Sequence, residues 1–134
     1  MREQENIKIV QDLYNNFRQG DFMSLMAALD NQVEWREPEN GPAPFKGTYR
    51  GKREVGEYFR QLALTVQVER FEPRSYMAQS DTVIALGSYR FKSKRTGEIW
   101  QTDWAMVWQF RGDKVARYQV YKDTAAELVA MRGW

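Results

Sequence analysis

The 134-residue chain reads as an α+β protein, because apolar residues recur at helical spacing through most of its first half and the period falls to two from about Thr65 onward. A row of tryptophans supports the same division. In EIWQTDWAMVWQF, Trp100, Trp104 and Trp108 stand four residues apart, which on an extended chain places all three indoles, with Thr102 and Met106, on one face. Spacing of four also suits one side of a helix, but the Trp, Thr and Val content and the turn formers Thr96-Gly97 and Gly112-Asp113 at the two ends favour a strand. An indole buries a large area yet carries an N–H that needs a partner, so such a wall serves a core, a ligand cavity or a dimer face.

The elements follow in order. Val10, Leu13, Tyr14 and Phe17 mark a first helix, with Glu3 and Glu5 near its positive end and Gly20 placed to stop it. Asp21 caps a second helix whose apolar face is Phe22, Leu25, Met26 and Leu29. Gln32 to Arg36 reads as extended. The string EPENGPAPFKGTYRG then gathers three of the four prolines and three glycines, the signature of an ordered loop. Val55, Tyr58, Phe59, Leu62 and Ala63 form one side of a third helix. Beyond it, turn signals at Ser80-Asp81, Lys94 to Gly97 and Arg111 to Lys114 cut the chain into four strands, antiparallel because their connections are short. One of these alternates Tyr89 and Phe91 with Arg90, Lys92 and Lys94, giving an apolar side and a wet, basic one. Thr124-Ala-Ala-Glu127 fits a capping box and opens a short C-terminal helix carrying Leu128 and Val129. No repeat or linker interrupts residues 1–134, so one domain is expected, in which a bent sheet wraps around helices and leaves a cavity at its open end.

Composition narrows the chemistry. Twenty basic and eighteen acidic residues leave a formal charge of +2, too weak a field to announce nucleic acid or an anionic membrane as a partner. The opening MREQENIKIV lacks the apolar run of a signal peptide, which points to a cytoplasmic location. There is no Cys, so neither a disulfide nor a thiolate is available. There is also no His, the usual general base near neutral pH and the usual transition-metal ligand. Carboxylates, Tyr, Lys and Arg remain as catalysts, and neither a metal nor another cofactor is expected.

Three strings carry a resemblance that covers nearly the whole chain: LYNNFRQGDFMSLMAALDNQVEW with the following Glu37-Pro38, FKGTYRGKREVGEYF, and VWQFRGDKVARYQVYKDTAA. In order and spacing they resemble the nuclear transport factor 2-like superfamily, and within it the SnoaL-like polyketide cyclases and ketosteroid isomerase-like proteins. The resemblance implies a cone-shaped barrel, a strongly bent antiparallel sheet packed on three N-terminal helices with a short C-terminal helix, often dimeric through its outer sheet face. It also implies a deep apolar pocket for a hydrophobic small molecule, without fixing an activity, since this fold hosts isomerases, cyclases, other enzymes and plain binding proteins.

Isomerase-like members carry their catalytic acid in an Asp-Pro string, which Glu37-Pro38 matches, so Glu37 becomes a candidate base against the alternative of a solvated loop residue. The cyclase resemblance makes Asp123 a second candidate, although a carboxylate there also suits the start of the last helix. Tyr14 offers a phenol to an oxyanion. Where the isomerases place their acidic partner this chain has Met106, which cannot donate a hydrogen bond. The expected ligand wall comprises Trp35, Tyr49, Trp104, Met106, Trp108, Gln119 and Tyr121. Gln119 and Tyr121 share the strand parity of Asp123; if these point outward, Tyr118, Val120 and Lys122 line the cavity instead. The expected activity is a cofactor-independent isomerisation or cyclisation of a hydrophobic carbonyl compound by carboxylate proton transfer. The alternative is a ligand-binding or dimeric interaction module without catalysis.

Overall fold

In the computed structural model, which describes residues 2–42 and 45–132, α1 (Arg2–Gln19), α2 (Phe22–Ala27) and α3 (Gly51–Thr65) pack inside a curled sheet. The strands are β1 (Leu29–Glu37), β2 (Gly47–Arg50), β3 (Val66–Gln79), β4 (Thr82–Ser93), β5 (Ile99–Arg111) and β6 (Lys114–Lys122), and α4 (Thr124–Arg132) closes the chain. Their order across the sheet is β2-β1-β6-β5-β4-β3. This is the α+β cone expected from the sequence. One pairing departs from the antiparallel expectation: β1 runs parallel to β6, with Trp35 opposite Tyr118 and Arg36 opposite Gln119. A parallel pair needs a long crossover, which the elements between β1 and β6 provide.

Three local differences have physical causes. The second helix stops at Ala27 because the Val115 amide donates to the Ala28 carbonyl, which draws Leu29 into β1 opposite Val115. The proline-rich stretch yields a short strand, β2, paired antiparallel to β1; residues 43 and 44 of that stretch lie outside the described residues. On α3, Val55, Tyr58, Phe59 and Leu62 are buried as expected, but Ala63 has turned to solvent.

The tryptophan strand is β5, and its alternation is complete: Trp100, Thr102, Trp104, Met106, Trp108 and Phe110 all face inward. None of the three indoles is more than 5% exposed, so the reading of this row as a dimer face is overturned. Trp104 lies over Gly87 of β4, where an added Cβ would come within 2.5 Å of the indole ring. Phe71 stacks on the same indole, with ring centres 5.3 Å apart. Only glycine lets an indole approach the neighbouring strand this closely.

Candidate functional site

Helices α1 and α3 do not fill the cone. Between them and the inner sheet face lies a narrow cavity of about 60 Å³, lined at one end by aromatic rings and at the other by Glu37, Lys122 and Glu127. Strand parity positions the first of these. Val33, Trp35 and Glu37 alternate inward along β1, so the last residue of that strand carries its carboxylate into the barrel. On β6 the inward residues are Tyr118, Val120 and Lys122, the alternative parity allowed by the sequence. Because α4 starts two residues after Lys122 and folds back over the cone, Glu127 on its inner face meets the same ammonium.

Lys122 Nζ donates to Glu37 Oε1 at 3.0 Å and to Glu127 Oε2 at 3.1 Å, and the Tyr58 hydroxyl donates to Glu37 Oε2 at 3.0 Å. All three charged side chains are at most 6% exposed. Burial alone would push the Lys122 ammonium to deprotonate, but the facing Glu37 and Glu127 carboxylates reverse this and hold its pKa above the usual lysine value. Desolvation raises the Glu127 pKa, only partly opposed by Lys122. Tyr58 is held well above the ordinary phenol range by burial and by Glu37, so it donates rather than ionises.

The opposite end is neutral. Trp108 Nε1 donates to the Tyr14 hydroxyl at 2.9 Å, and that hydroxyl donates to Met106 Sδ at 3.2 Å. Burial lifts the Tyr14 pKa far above that of a free phenol. Trp35 stacks on Tyr118 with ring centres 3.8 Å apart and meets Trp108 edge-on at 5.7 Å. Three polar atoms on lining residues are buried without a hydrogen-bond partner: Trp35 Nε1, Tyr89 Oη and Glu127 Oε1.

Of the residues singled out from sequence, Glu37, Tyr14, Trp35, Met106 and Trp108 line this cavity. Trp104 is buried but belongs to the packing over Gly87 rather than to the lining. Tyr49 lies half-buried on β2 with its ring 5.2 Å from that of Tyr58. Asp123, Gln119 and Tyr121 are not brought to the site: Tyr121 is 51% exposed, and Asp123 sits at the surface, where its Oδ1 accepts from the Ala126 amide at the start of α4. Asp123 therefore caps the helix itself. The residue read as the far half of a capping box, Glu127, is released from that duty and turns to Lys122. Tyr58 and Glu127 escaped sequence reasoning because each occupies a position with an ordinary helical explanation, and only their shared partners across the fold mark them.

A family model for the SnoaL-like domain matches residues 10–118. The fold and sequence are similar to two nuclear transport factor 2-like proteins of solved structure. One, from Burkholderia xenovorans LB400, is 29% identical with a TM-score of 0.87, covering 96% of this chain and 97% of that one. The other, from Burkholderia thailandensis E264, is 30% identical with a TM-score of 0.86, covering 98% of both chains. TerC, solved in a co-crystal with polyporic acid, is 26% identical with a TM-score of 0.87 over 96% of this chain and 98% of its own. No curated protein matches the chain.

Proposed function

The chain belongs to the SnoaL-like domain family, and from that premise we propose that its cavity binds a flat, largely apolar carbonyl compound and moves a proton on it with the Glu37 carboxylate. The observation that carries this reading is a carboxylate 5% exposed at the wall of an aromatic cavity, held at both oxygens by Lys122 and Tyr58. Each oxygen keeps a second lone pair, so either can accept a proton from the carbon alpha to a substrate carbonyl. Lys122 spends two of its three N–H groups on carboxylates, which leaves the third to donate a hydrogen bond to the substrate oxygen. No thiol, imidazole or bound cofactor enters the step, which is that of an isomerase or cyclase. That TerC, a protein of similar fold and sequence, was co-crystallised with polyporic acid supports an organic ligand for this chain.

Deuterium exchange at an activated aryl ketone tests the step. Glu37→Gln should slow exchange about 100-fold or more, whereas Asp123→Asn, altered at the surface, should leave it unchanged. Equal rates in wild type and Glu37→Gln would remove the mechanism. A second reading, ligand binding without catalysis, is favoured by one specific observation: the Tyr14 hydrogen is already committed to Met106, so the phenol expected to stabilise an oxyanion is occupied. The same exchange assay, with binding followed in parallel, separates the two.

The outer sheet face supports a homodimer. Met77 on β3, Ile84 and Leu86 on β4 and Tyr121 on β6 are exposed there, with Ile84 opposite both Met77 and Val107. Sedimentation at micromolar concentration should give twice the monomer mass, and a stable monomer would end that assignment.

A further inference from the structure

The cavity asks for a particular kind of ligand group. Glu127 Oε1 is a buried acceptor with nothing to accept from, and the Tyr89 hydroxyl is a buried donor with no acceptor. Both residues are 3% exposed and both line the cavity. The Trp100 indole approaches Tyr89 outside hydrogen-bonding geometry, and because it is itself a donor it leaves the phenol hydrogen unspent in any case. A buried polar atom without a partner costs free energy, and two on residues that line one cavity make a demand that a single occupant can meet.

Charge decides which occupant. Two carboxylates face one ammonium, so the acid end has no spare positive charge for an anionic head group. The ketone oxygen of a carbonyl compound would satisfy Tyr89 but leave Glu127 unanswered. A hydroxyl does both, donating to the carboxylate and accepting from the phenol. The Trp35 N–H, the third unpartnered group, needs only an acceptor and so does not discriminate between a hydroxyl and a carbonyl.

We propose that Glu127 and Tyr89 form the receptor for a neutral hydroxyl group, so that the ligand of this cavity is a hydroxylated aromatic: a phenol, or the enol form of an aryl carbonyl compound. This rests on the cavity assigned above and narrows its substrate class, because carrying the alpha proton to the carbonyl oxygen by way of the Glu37 carboxylate turns a ketone into its enol, the neutral hydroxyl form that Glu127 and Tyr89 are set to hold. The apolar end takes the ring against the packed wall of Trp35, Trp108 and Tyr118. Much of the space between these atoms is too narrow for a flat two-ring compound, so binding moves side chains of the wall outward.

Isothermal titration with three biphenyls tests the receptor without requiring turnover: 4-phenylphenol, its methyl ether 4-methoxybiphenyl, and biphenyl-4-carboxylate. The wild-type protein should bind the phenol at least about tenfold more tightly than the ether, and the carboxylate least of all. Glu127→Gln and Tyr89→Phe, each of which keeps the side-chain volume, should each reduce the phenol-to-ether ratio to about twofold or less while leaving the affinity for the ether within about twofold of wild type. Equal binding of phenol and ether by the wild-type protein, or a ratio that survives both substitutions, overturns the hydroxyl receptor and leaves the proton-transfer reading standing. Failure of all three compounds to bind overturns the receptor together with the cavity reading beneath it. Loss of exchange in Glu37→Gln with the phenol preference intact keeps both.

Discussion

The two ends of the cavity differ in how completely their polar atoms are satisfied. At the aromatic end a chain of donors runs from the Trp108 indole to the Tyr14 hydroxyl to the Met106 sulfur, and it ends there without charge. At the acid end one ammonium serves two carboxylates, with a phenol on one of them and an oxygen of the other left bare. The donor chain at the aromatic end is closed within the protein, although the uncharged Trp35 N–H beside it lacks a partner. The acid end is not closed, and buried polar groups left open in a stable fold are where a ligand has something to gain. The resemblance to ketosteroid isomerases directed attention to Met106 as the missing acid. The fold instead gathers Glu37, Lys122 and Glu127 from β1, β6 and α4, so the buried charges of this cone lie at the other end.

Breaking each end in turn should show this difference in stability. Lys122→Met leaves Glu37 and Glu127 facing one another in a buried site without a counter-charge, and should cost about 3–5 kcal/mol in urea unfolding. Adding Glu127→Gln to that variant should restore part of the loss, because one of the two stranded charges is removed. Tyr14→Phe deprives the Trp108 N–H of its acceptor but strands no charge, and should cost only about 1–3 kcal/mol. If Tyr14→Phe proves as damaging as Lys122→Met, the ends are not distinguished by charge and the comparison fails.

How much of this was legible in the sequence follows from the range of the interactions. The inward set of β5 could be read directly, since strand parity is local and all of Trp100, Thr102, Trp104, Met106 and Trp108 obey it. Glu37 was reachable by the same parity from Val33 and Trp35, and by the resemblance at Glu37-Pro38. The last strand was harder. Alternation on β6 defines two faces but does not say which is inside, and the capping preference of Asp123 imitates a functional carboxylate while serving the helix. Glu127 was hidden more deeply: the spacing from Thr124 fits a capping box, and only a contact between α4 and the end of β6 reveals that its carboxylate faces Lys122. Trp104 failed as a ligand residue for a similar reason, because its partner, Gly87, lies on the neighbouring strand and is invisible to spacing along the chain.

The smallest expected effect lies in the pH dependence of the acid end. Lys122, Glu37, Tyr58, Tyr89 and Tyr118 surround Glu127 from β6, β1, α3 and β4, and burial among them raises its pKa in the fold. A proton on Glu127 is thus held more tightly in the folded chain than in the unfolded one. The stability this supplies is fully present below the ordinary carboxylate value of 4.5 and is lost as pH rises through the higher, folded value. Lys122 titrates in the same sense but far above, its contribution fully present below the usual lysine value of 10.5 and lost only as pH rises beyond it, so it does not change slope in the acid range. Unfolding free energies measured from about pH 4 to pH 8 should therefore fall less steeply, relative to wild type, in Glu127→Gln, which has no proton to lose. In Tyr14→Phe, altered at the neutral end, the curve should run parallel to wild type. Parallel curves for Glu127→Gln as well would mean that the carboxylate keeps one protonation state across the range, and would place the titrating group of this cavity elsewhere than at its acid end.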